Sequence, residues 1–317
     1  MKKRVAFVFV VLVASAVFLT SCERAERPWP SRAIQVIIPF APGGDSDFNA
    51  RAYITRLGPI LGQSVVAVNM PGAGGVVGAT HVLNSAPDGY TVLMWHSNII
   101  ISDIAGTSTL NVDDFELAAI IGMSDFSVIV NTNSPFYTLN DLVNASIAAP
   151  DTILYAMATG TVAHIGGLLL NQAGAQFRLV DIGDTAERNV SLMGGHVHAI
   201  ASGLGTVVPF FQSGDFRALA IINDRRNSVL TDIPTTVEQG FLDAAFPLYY
   251  NFSFPRGTPR EIVERFTDAL EQVYLMEDYR HSIHQTFMQE PFFRRGEEAL
   301  NHLRVLRERV VPLAPYF

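Results

Sequence analysis

The sequence predicts an α/β fold built as two units with a cleft between them. Strand-like apolar segments alternate with helix-like segments, and glycine-rich loops stand between them. The alternation begins at residue 33 and starts again at residue 152. The chain has 317 residues, 49% of them hydrophobic, which supplies enough apolar material for one large or two mid-sized cores. Because strands alternate with helices, we expect the sheets to be mainly parallel.

Residues 33–40 open the first unit with AIQVIIPF, a continuous apolar run typical of a buried strand. Two further strands are predicted at 64–69 and 90–95. A helix is predicted at 47–61, where apolar residues recur at helical spacing, and a shorter one follows the glycine-rich turn near residue 74. The first unit is therefore a series of strand, loop and helix segments.

The second unit repeats this alternation of element types. Its predicted strands are 152–158, 177–182, 197–202 and 216–222, and its predicted helices are 162–173 and 185–193. A later helix is expected to begin at TPRE, residues 258–261, with a capping box and a proline in its first turn. We expect lobe 1 to comprise 33–126 and 250–317, lobe 2 to comprise 127–249, and stretches such as 126–131 and 247–254 to join them.

The first 21 residues have the pattern of a secretory signal, with a basic start and an apolar run from residue 5 to residue 19. That run is shorter than a spanning helix needs, so an uncleaved anchor is the weaker interpretation. Leu19 to Cys22 resembles the lipobox of bacterial lipoproteins, in which the cysteine is lipidated. We expect Cys22 to carry the lipid, residues 22–32 to form a tether, and the body to lie outside the cytoplasm. The alternative is a soluble protein whose signal peptide is cleaved near a cysteine that carries no lipid.

Composition excludes several classes of function. The net charge of −8 makes nucleic acid an improbable partner. Neither a Walker lysine motif nor a G-x-G-x-x-G fingerprint is present, so we expect no nucleotide cofactor, and no other cofactor is predicted. His96, His196 and His198 have no carboxylate or cysteine at metal-ligand spacing, so no metal is predicted.

Three glycine loops run into predicted helices: Gly43-Gly44, Gly72-Ala73-Gly74, and Thr159-Gly160-Thr161. Helix N-termini carry unpaired N–H groups and a partial positive charge, and they bind carboxylates or phosphates readily. A plain tight turn between strand and helix is the alternative for any single loop. Asp47 and Arg51 are four residues apart on the first helix, where an ion pair with a scaffold role is expected.

A catalytic interpretation also has to be considered. Gly44-Asp45-Ser46 looks like the opening block of GDS-type esterases, and Asp278 and His281 look like their closing D-x-x-H. Ile221 stands where that family has a glycine two residues before its asparagine, here Asn223. Asp278 and His281 also lie in a charge-rich segment that favours an ion-paired surface helix. We therefore expect a binding protein and not an enzyme.

Taken together, ordered motifs cover nearly the whole chain from residue 34: PFAPGGDSDFNAR, VNMPGAGG, APDGYTVLM, TGTVAH, LMGGHV, FRALAI, DIPTTVEQGF and FPRGTP. In this order the chain resembles the Bug-type extracytoplasmic solute receptors of tripartite tricarboxylate transporters. The resemblance implies a two-lobed periplasmic-binding-protein fold, of the Venus flytrap type II-like class, that closes on a small carboxylate. It implies membrane permease subunits as partners. From the lipobox we expect a lipid anchor as the only membrane attachment, although a soluble periplasmic protein matches many relatives of this family, and we expect a monomer.

The resemblance also implies which residues meet the ligand. In lobe 1 they are Phe40, Ala41, Pro42, Gly43, Gly44, Asp45, Ser46, Gly72, Ala73 and Gly74; in lobe 2 they are Thr159, Gly160, Thr161 and His164. Many family members have glycine or alanine in place of Asp45, and aspartate-threonine in place of Ser202-Gly203. Because both positions are expected to face the cleft, these departures bear on ligand identity.

The side chains expected at the end of the ligand opposite the lobe 1 loops suggest the chemical class of the ligand. The sequence offers hydroxyls and amides at Thr159, Thr161, Ser202, Ser97 and Asn98, a possible cation at His164, and possible acids at Asp45 and Asp184. His164 is alternatively a buried structural histidine. A tricarboxylate would meet more acids than bases, and burying unpaired charge is costly. We therefore expect a mono- or dicarboxylate, with hydroxyl or amino groups, in preference to citrate.

Overall fold

The computed structural model describes residues 28–183 and 185–317, which form two sheets flanked by helices. The predicted signal peptide, most of the tether including Cys22, and Asp184 lie outside the described residues. The strands are β1 (Ile34–Ile38), β2 (Val65–Asn69), β3 (Thr91–His96), β4 (Phe115–Ser124), β5 (Phe126–Asn131), β6 (Leu154–Met157), β7 (Arg178–Asp181), β8 (Ala199–Gly203), β9 (Phe216–Ile221), β10 (Leu248–Pro255) and β11 (Arg294–Arg295).

Helices connect and cover the strands. They are α1 (Asp45–Leu61), α2 (Val76–Leu83), α3 (Asn98–Ile104), α4 (Leu139–Ala148), α5 (Val162–Gln172), α6 (Thr185–Met193), α7 (Leu204–Ser213), α8 (Arg260–Leu275), α9 (Glu277–Phe287) and α10 (Gly296–Val310), with short 3₁₀ turns at Ala73–Gly75, Val112–Asp114 and Val311–Tyr316. The predicted strands and helices of both units are present, with ends that differ by at most two residues.

The strand order is β11-β4-β10-β3-β1-β2 in the first sheet and β7-β6-β8-β5-β9 in the second. The expectation of mainly parallel sheets is only partly correct. β1 pairs in parallel with β2 and β3, but β10 runs antiparallel to β3 and β4, and β5 runs antiparallel to β8 and β9. These two strands enter their sheets from the other sheet without a helical crossover, so no βαβ geometry makes them parallel.

The chain passes between the sheets at two places. Only Asp125 separates β4 from β5, and the segment after β9 leads back to β10. The stretches 126–131 and 247–254, expected to join the units, therefore form strands β5 and β10 almost entirely. The residue bounds of the two lobes remain a prediction.

Helix α8 has the predicted apolar stripe but not the predicted cap. Phe266, Leu270 and Val273 are buried, and the Phe266 ring packs edge-on against Phe252 and Phe254 of β10. The helix begins after Pro259 without a side-chain cap. The capping-box prediction is wrong because the Thr258 hydroxyl donates to the Pro255 carbonyl at 2.8 Å and closes the preceding turn instead.

Candidate functional site

The loop between β1 and α1 is held from behind by Asp47. The Asp47 carboxylate accepts hydrogen bonds from the Gly43 N–H at 3.0 Å, from Arg51 at 2.8 Å and from Asn69 at 2.9 Å. Burial acts to raise the pKa of Asp47, but these hydrogen bonds outweigh it and leave the pKa below its usual value. The predicted scaffold pair of Asp47 and Arg51 is confirmed, and the Gly43 N–H is already occupied.

Beyond Gly43, the loop presents free donors. Across the described residues, the backbone N–H groups of Gly44, Asp45 and Ser46 have no hydrogen-bond acceptor. Gly44 is exposed and is the N-cap of α1, a 17-residue helix. Such N–H groups at a helix start bind anions because they are unpaired and carry partial positive charge.

The second glycine loop packs against the first. Gly72, Ala73, Gly74 and Gly75 all have positive φ angles, and the first three are exposed. A Cβ atom on Gly75 would lie 3.1 Å from the Phe40 ring, so glycine allows the two loops to approach. A small recess of about 20 Å³ lies beside this contact, and its lining includes Phe40, Gly74 and Asn98 of the predicted site.

His96 packs against the loop between β1 and α1. Its ring stacks on Phe40 with centroids 4.3 Å apart and meets Tyr250 edge-on at 5.9 Å. Its Nδ1 atom accepts a hydrogen bond from the Asn98 N–H at 3.3 Å. Burial lowers the pKa of His96 to about 3, so the ring is neutral at physiological pH. Sequence spacing did not select His96 as a site residue.

The second-lobe turn is organised by Asp181, which the sequence analysis missed. Asp181 ends β7, and its Oδ2 atom accepts from the Thr159 N–H at 3.1 Å and from the Thr159 hydroxyl at 2.6 Å. The Thr161 hydroxyl donates to the Ala158 carbonyl at 2.6 Å. Both predicted hydroxyls are thus engaged within the turn. An acidic residue at the carboxyl end of a parallel strand was the signal that could have identified Asp181.

The first turn of α5 presents free N–H groups like those of α1. Within residues 28–183 and 185–317, those of Thr161, Val162 and Ala163 have no acceptor. A Cβ atom on Gly160 would lie 3.6 Å from the Thr107 hydroxyl oxygen, so the turn meets a residue that follows α3 on the first-sheet side. The α5 donors therefore lie on the second-sheet side of a contact between the two sheets.

His164 is not the cation that the sequence allowed. It is buried, its Nδ1 atom accepts from the Gly160 N–H at 3.4 Å, and its ring meets the ring of Phe317 edge-on at 5.1 Å. Burial lowers the pKa of His164, although Asp181 acts in the opposite direction. The histidine is therefore neutral at pH 7 and supports the turn, which was the alternative interpretation.

Asp45 is hydrogen-bonded by side chains from distant parts of the chain. Its carboxyl group accepts hydrogen bonds from the Tyr250 hydroxyl and from Gln289 at 3.0 Å. Burial raises the pKa of Asp45, although both hydrogen bonds act to lower it. A Cβ atom on Gly203 would lie 3.4 Å from this carboxyl group, which places it against the second sheet. Tyr250 and Gln289 are distant in sequence, and no local pattern indicated them.

The remaining predicted residues differ in their surroundings. Ser97 is buried, and its hydroxyl group accepts from the Tyr249 N–H at 3.0 Å, so it links α3 to β10. The Oδ1 atom of Asn98 and the hydroxyl group of Ser202 are buried with no hydrogen-bond partner among the described residues. Ala41 and Pro42 are exposed in the first loop. Asp184 cannot be placed because it lies outside the described part.

The structure does not support the esterase alternative. Asp278 forms an ion pair with Arg56 at 2.7 Å, and His281 lies exposed on the same helix, α9. Ser46 is buried in the first turn of α1, and within the described chain no hydrogen bond joins it to either residue. A serine nucleophile needs a base within hydrogen-bond reach and an acid that orients that base. The charge-rich segment is an ion-paired surface helix.

Within residues 28–183 and 185–317, no helix combines the length and the apolar character that crossing a bilayer demands. In the same part of the chain, no group of three or more His, Cys, Asp or Glu side chains is arranged to hold a metal ion.

Comparison with protein families shows which family the chain is similar to. The family model of the tripartite tricarboxylate transporter family receptor matches residues 50–303. The chain belongs to this family. Its members are solute-binding receptors and not enzymes, and the first glycine loop precedes the matched span.

Individual receptors show the same similarity. BugT of Bordetella pertussis is 29% identical over 263 residues, which cover 79% of this chain and 80% of BugT. The structure of MatC from Rhodopseudomonas palustris with bound malate is 26% identical, has a TM-score of 0.77, and matches 90% of this chain and 98% of MatC. The structure of Rpa4515 from R. palustris with adipate has a TM-score of 0.78 at 24% identity, covers 90% and 96% of the two chains, and shows the fold alone. The predicted two-lobed receptor fold is confirmed.

Proposed function

We propose that this receptor captures a small mono- or dicarboxylate between its lobes and delivers it to the membrane permease of a tripartite transporter. The observation that supports the proposal is the pair of helix starts, at Gly44 after a strand of the first sheet and at Thr161 after a strand of the second, whose N–H groups have no acceptor among the described residues. Each start can hold one carboxylate group. Two such helix starts suit a dicarboxylate that bridges the lobes.

The charges near the cleft favour a ligand with few negative groups. His164 is neutral, and Asp45 is turned toward Tyr250, so neither charges the ligand site directly. Asp181 is an exposed acid whose pKa is lowered, first by the hydrogen bond from the Thr159 hydroxyl. A third carboxylate would have to be buried on neutral donors near this acid, which is costly. The related receptor MatC has been solved with malate, a dicarboxylate.

Calorimetric titration with malate, succinate, adipate and citrate tests the proposal. Gly44→Pro removes one free N–H group, and the φ of −82° at this position suits proline. Gly44→Ala is the matched control, because it keeps the N–H and its Cβ atom would be 3.6 Å from the Ala41 carbonyl oxygen, an ordinary contact. We expect a dicarboxylate to bind, with a dissociation constant about tenfold higher in the proline variant only.

Two results would contradict the proposal. Tight binding of citrate without response to the smaller acids would exclude the ligand class. Equal affinity in Gly44→Pro and Gly44→Ala would exclude the N–H group as a ligand contact. Both variants need wild-type melting temperatures for this comparison.

We further propose that Cys22 anchors the receptor outside the cytoplasm through a lipid, with residues 1–21 removed as the signal peptide and 22–32 as the tether. The lipobox pattern in the sequence supports this arrangement. The receptor works as a monomer whose lobes comprise 33–126 with 250–317, and 127–249. Cys22→Ser should move the protein from the membrane fraction to the soluble fraction or block its processing. Normal processing with unchanged membrane retention would refute the anchor.

A further inference from the structure

A second polar cavity lies where the two sheets are joined, apart from the proposed carboxylate site. It is open to solvent and has a volume of about 220 Å³, and its walls come from the end of β4, the segment after β9, the start of β10 and helix α10. Tyr249 contributes to it, whereas Tyr250, the next residue of β10, contacts Asp45. Because successive side chains of a strand point to opposite faces, the cavity and the Asp45 cluster lie on opposite faces of the first sheet.

Basic and donor groups predominate in the walls. Arg225 and Arg309 line the cavity together with Tyr249, Asn301 and His302, and Asp224 is the one acid among the lining residues. The chain as a whole has a net charge of −8, so a pair of arginines in one cavity is a local departure from its acidic character. Guanidinium groups match the geometry of carboxylate and phosphate oxygens.

Arg309 retains donors for an incoming group. Its Nη1 atom donates to the Ala245 carbonyl at 3.1 Å, and among the described residues no carboxylate lies within ion-pair distance of it. Arg225 is paired with Glu290 at 2.5 Å and also contacts the Met123 sulfur. Arg309 is therefore the cation in the cavity whose charge is not already balanced.

Tyr249 supplies a hydroxyl donor. Its ring stacks on Phe292 with centroids 5.4 Å apart and meets His302 edge-on at 5.6 Å, which fixes its orientation. Burial raises the pKa of Tyr249, although Arg225 and Arg309 act to lower it, so the hydroxyl keeps its proton at neutral pH. In the described part of the chain this hydroxyl makes no hydrogen bond.

We propose that this cavity is a second binding site, for a small oxyanion of the phosphate or carboxylate type, held by Arg309, Tyr249 and Arg225. The inference is independent of the proposed carboxylate cleft, which uses backbone donors on the other side of the first sheet. Inorganic phosphate, glycerol phosphate and succinate are suitable probes, because they separate a free anion, a phosphate ester and a carboxylate.

Phosphate titration followed by NMR or calorimetry is the test. Wild-type protein should bind at least one of the three probes saturably at this site, and Arg309→Ala and Tyr249→Phe should each weaken that binding about tenfold or more. Arg304→Ala is the matched control, since Arg304 is exposed on the same helix and paired with Glu297 outside the cavity. Gly44→Pro should leave the phosphate affinity unchanged.

In this design, a result that contradicts the second site can be distinguished from a result that contradicts the carboxylate cleft. Loss of phosphate binding in Gly44→Pro but not in Arg309→Ala would show that phosphate enters the cleft and would overturn the second site. If neither Arg309→Ala nor Tyr249→Phe weakens the binding of any of the three probes at concentrations up to about 10 mM, the second site is overturned as well. Tyr249→Phe removes a single oxygen atom, so it tests the site even if Arg309→Ala fails to fold.

Discussion

The Tyr250 hydroxyl donates a hydrogen bond to the Asp45 carboxyl group, and this bond joins the first residue of α1 to the strand that returns from the second sheet. Gln289 donates to the other carboxyl oxygen at 3.0 Å. The acid that the sequence placed in the ligand cradle is therefore enclosed beside the connection between the lobes.

Asp45→Asn should change how stability depends on pH. Because the folded-state pKa of Asp45 is raised, its contribution is fully present below the unfolded pKa of about 3.8 and is lost as pH rises through the folded value. Asparagine can still accept from Tyr250 but does not titrate. We expect the unfolding free energy of the variant, relative to wild type, to rise with pH across that window. Urea unfolding at several pH values measures this, and a constant difference would contradict it.

The lowered pKa of His96 should reduce the free energy of unfolding as the pH falls. Its folded-state pKa is about 3, so its contribution is present above the unfolded pKa of about 6.5 and is lost as pH falls toward 3. The expected cost is about 1.4 kcal/mol per pH unit in this range. His96→Phe keeps the stacking on Phe40 and should show a shallower loss in acid unfolding curves. Parallel curves for both proteins would exclude the titration of His96.

Asp181→Ala should weaken ligand binding without a matching loss of stability. The Thr159 N–H and hydroxyl both lose their acceptor, which frees the turn that presents the α5 donors. A dissociation constant about tenfold higher is expected by calorimetry, equivalent to about 1.4 kcal/mol. Asp181→Asn keeps an acceptor oxygen and should recover most of the affinity. Asp215→Ala, in an exposed turn before β9, should have no effect.

Gly205→Ala should disturb the contact between the lobes. A Cβ atom there would lie 2.6 Å from the Phe287 ring and 3.1 Å from its carbonyl oxygen, so α7 and α9 would have to separate. The Phe287 ring is itself stacked on Phe48. A loss of about 1–3 kcal/mol in unfolding free energy is expected from such overpacking.

A matched glycine serves as the control for Gly205. Gly58 lies within α1, and a Cβ atom there would meet only a backbone oxygen at 3.5 Å. Gly58→Ala should therefore leave the melting temperature unchanged or raise it, because alanine favours the helix interior. Equal melting temperatures for both variants would show that the contact at Gly205 accommodates a methyl group.

Local patterns were sufficient for the elements whose form depends on neighbours in sequence. The apolar run of β1, the helical spacing of α1 and the glycines that end or begin helices each predicted an element close to its observed bounds. β4, β5 and β10 were not assigned as strands. They are buried on both faces, so they lack the alternation that reveals a half-exposed strand, and their pairing depends on strands far away in sequence.

The sequence by itself determined the α/β character, the three glycine loops and the receptor family, because these follow from residue order and backbone freedom. Only the tertiary structure decided the roles of the titratable side chains. Asp45 is enclosed because Tyr250 and Gln289, more than 200 residues away, reach its carboxyl group. His164 is neutral because packing removes it from water. Side-chain direction and desolvation arise from contacts between distant segments, and the spacing of residues along the chain does not encode them locally.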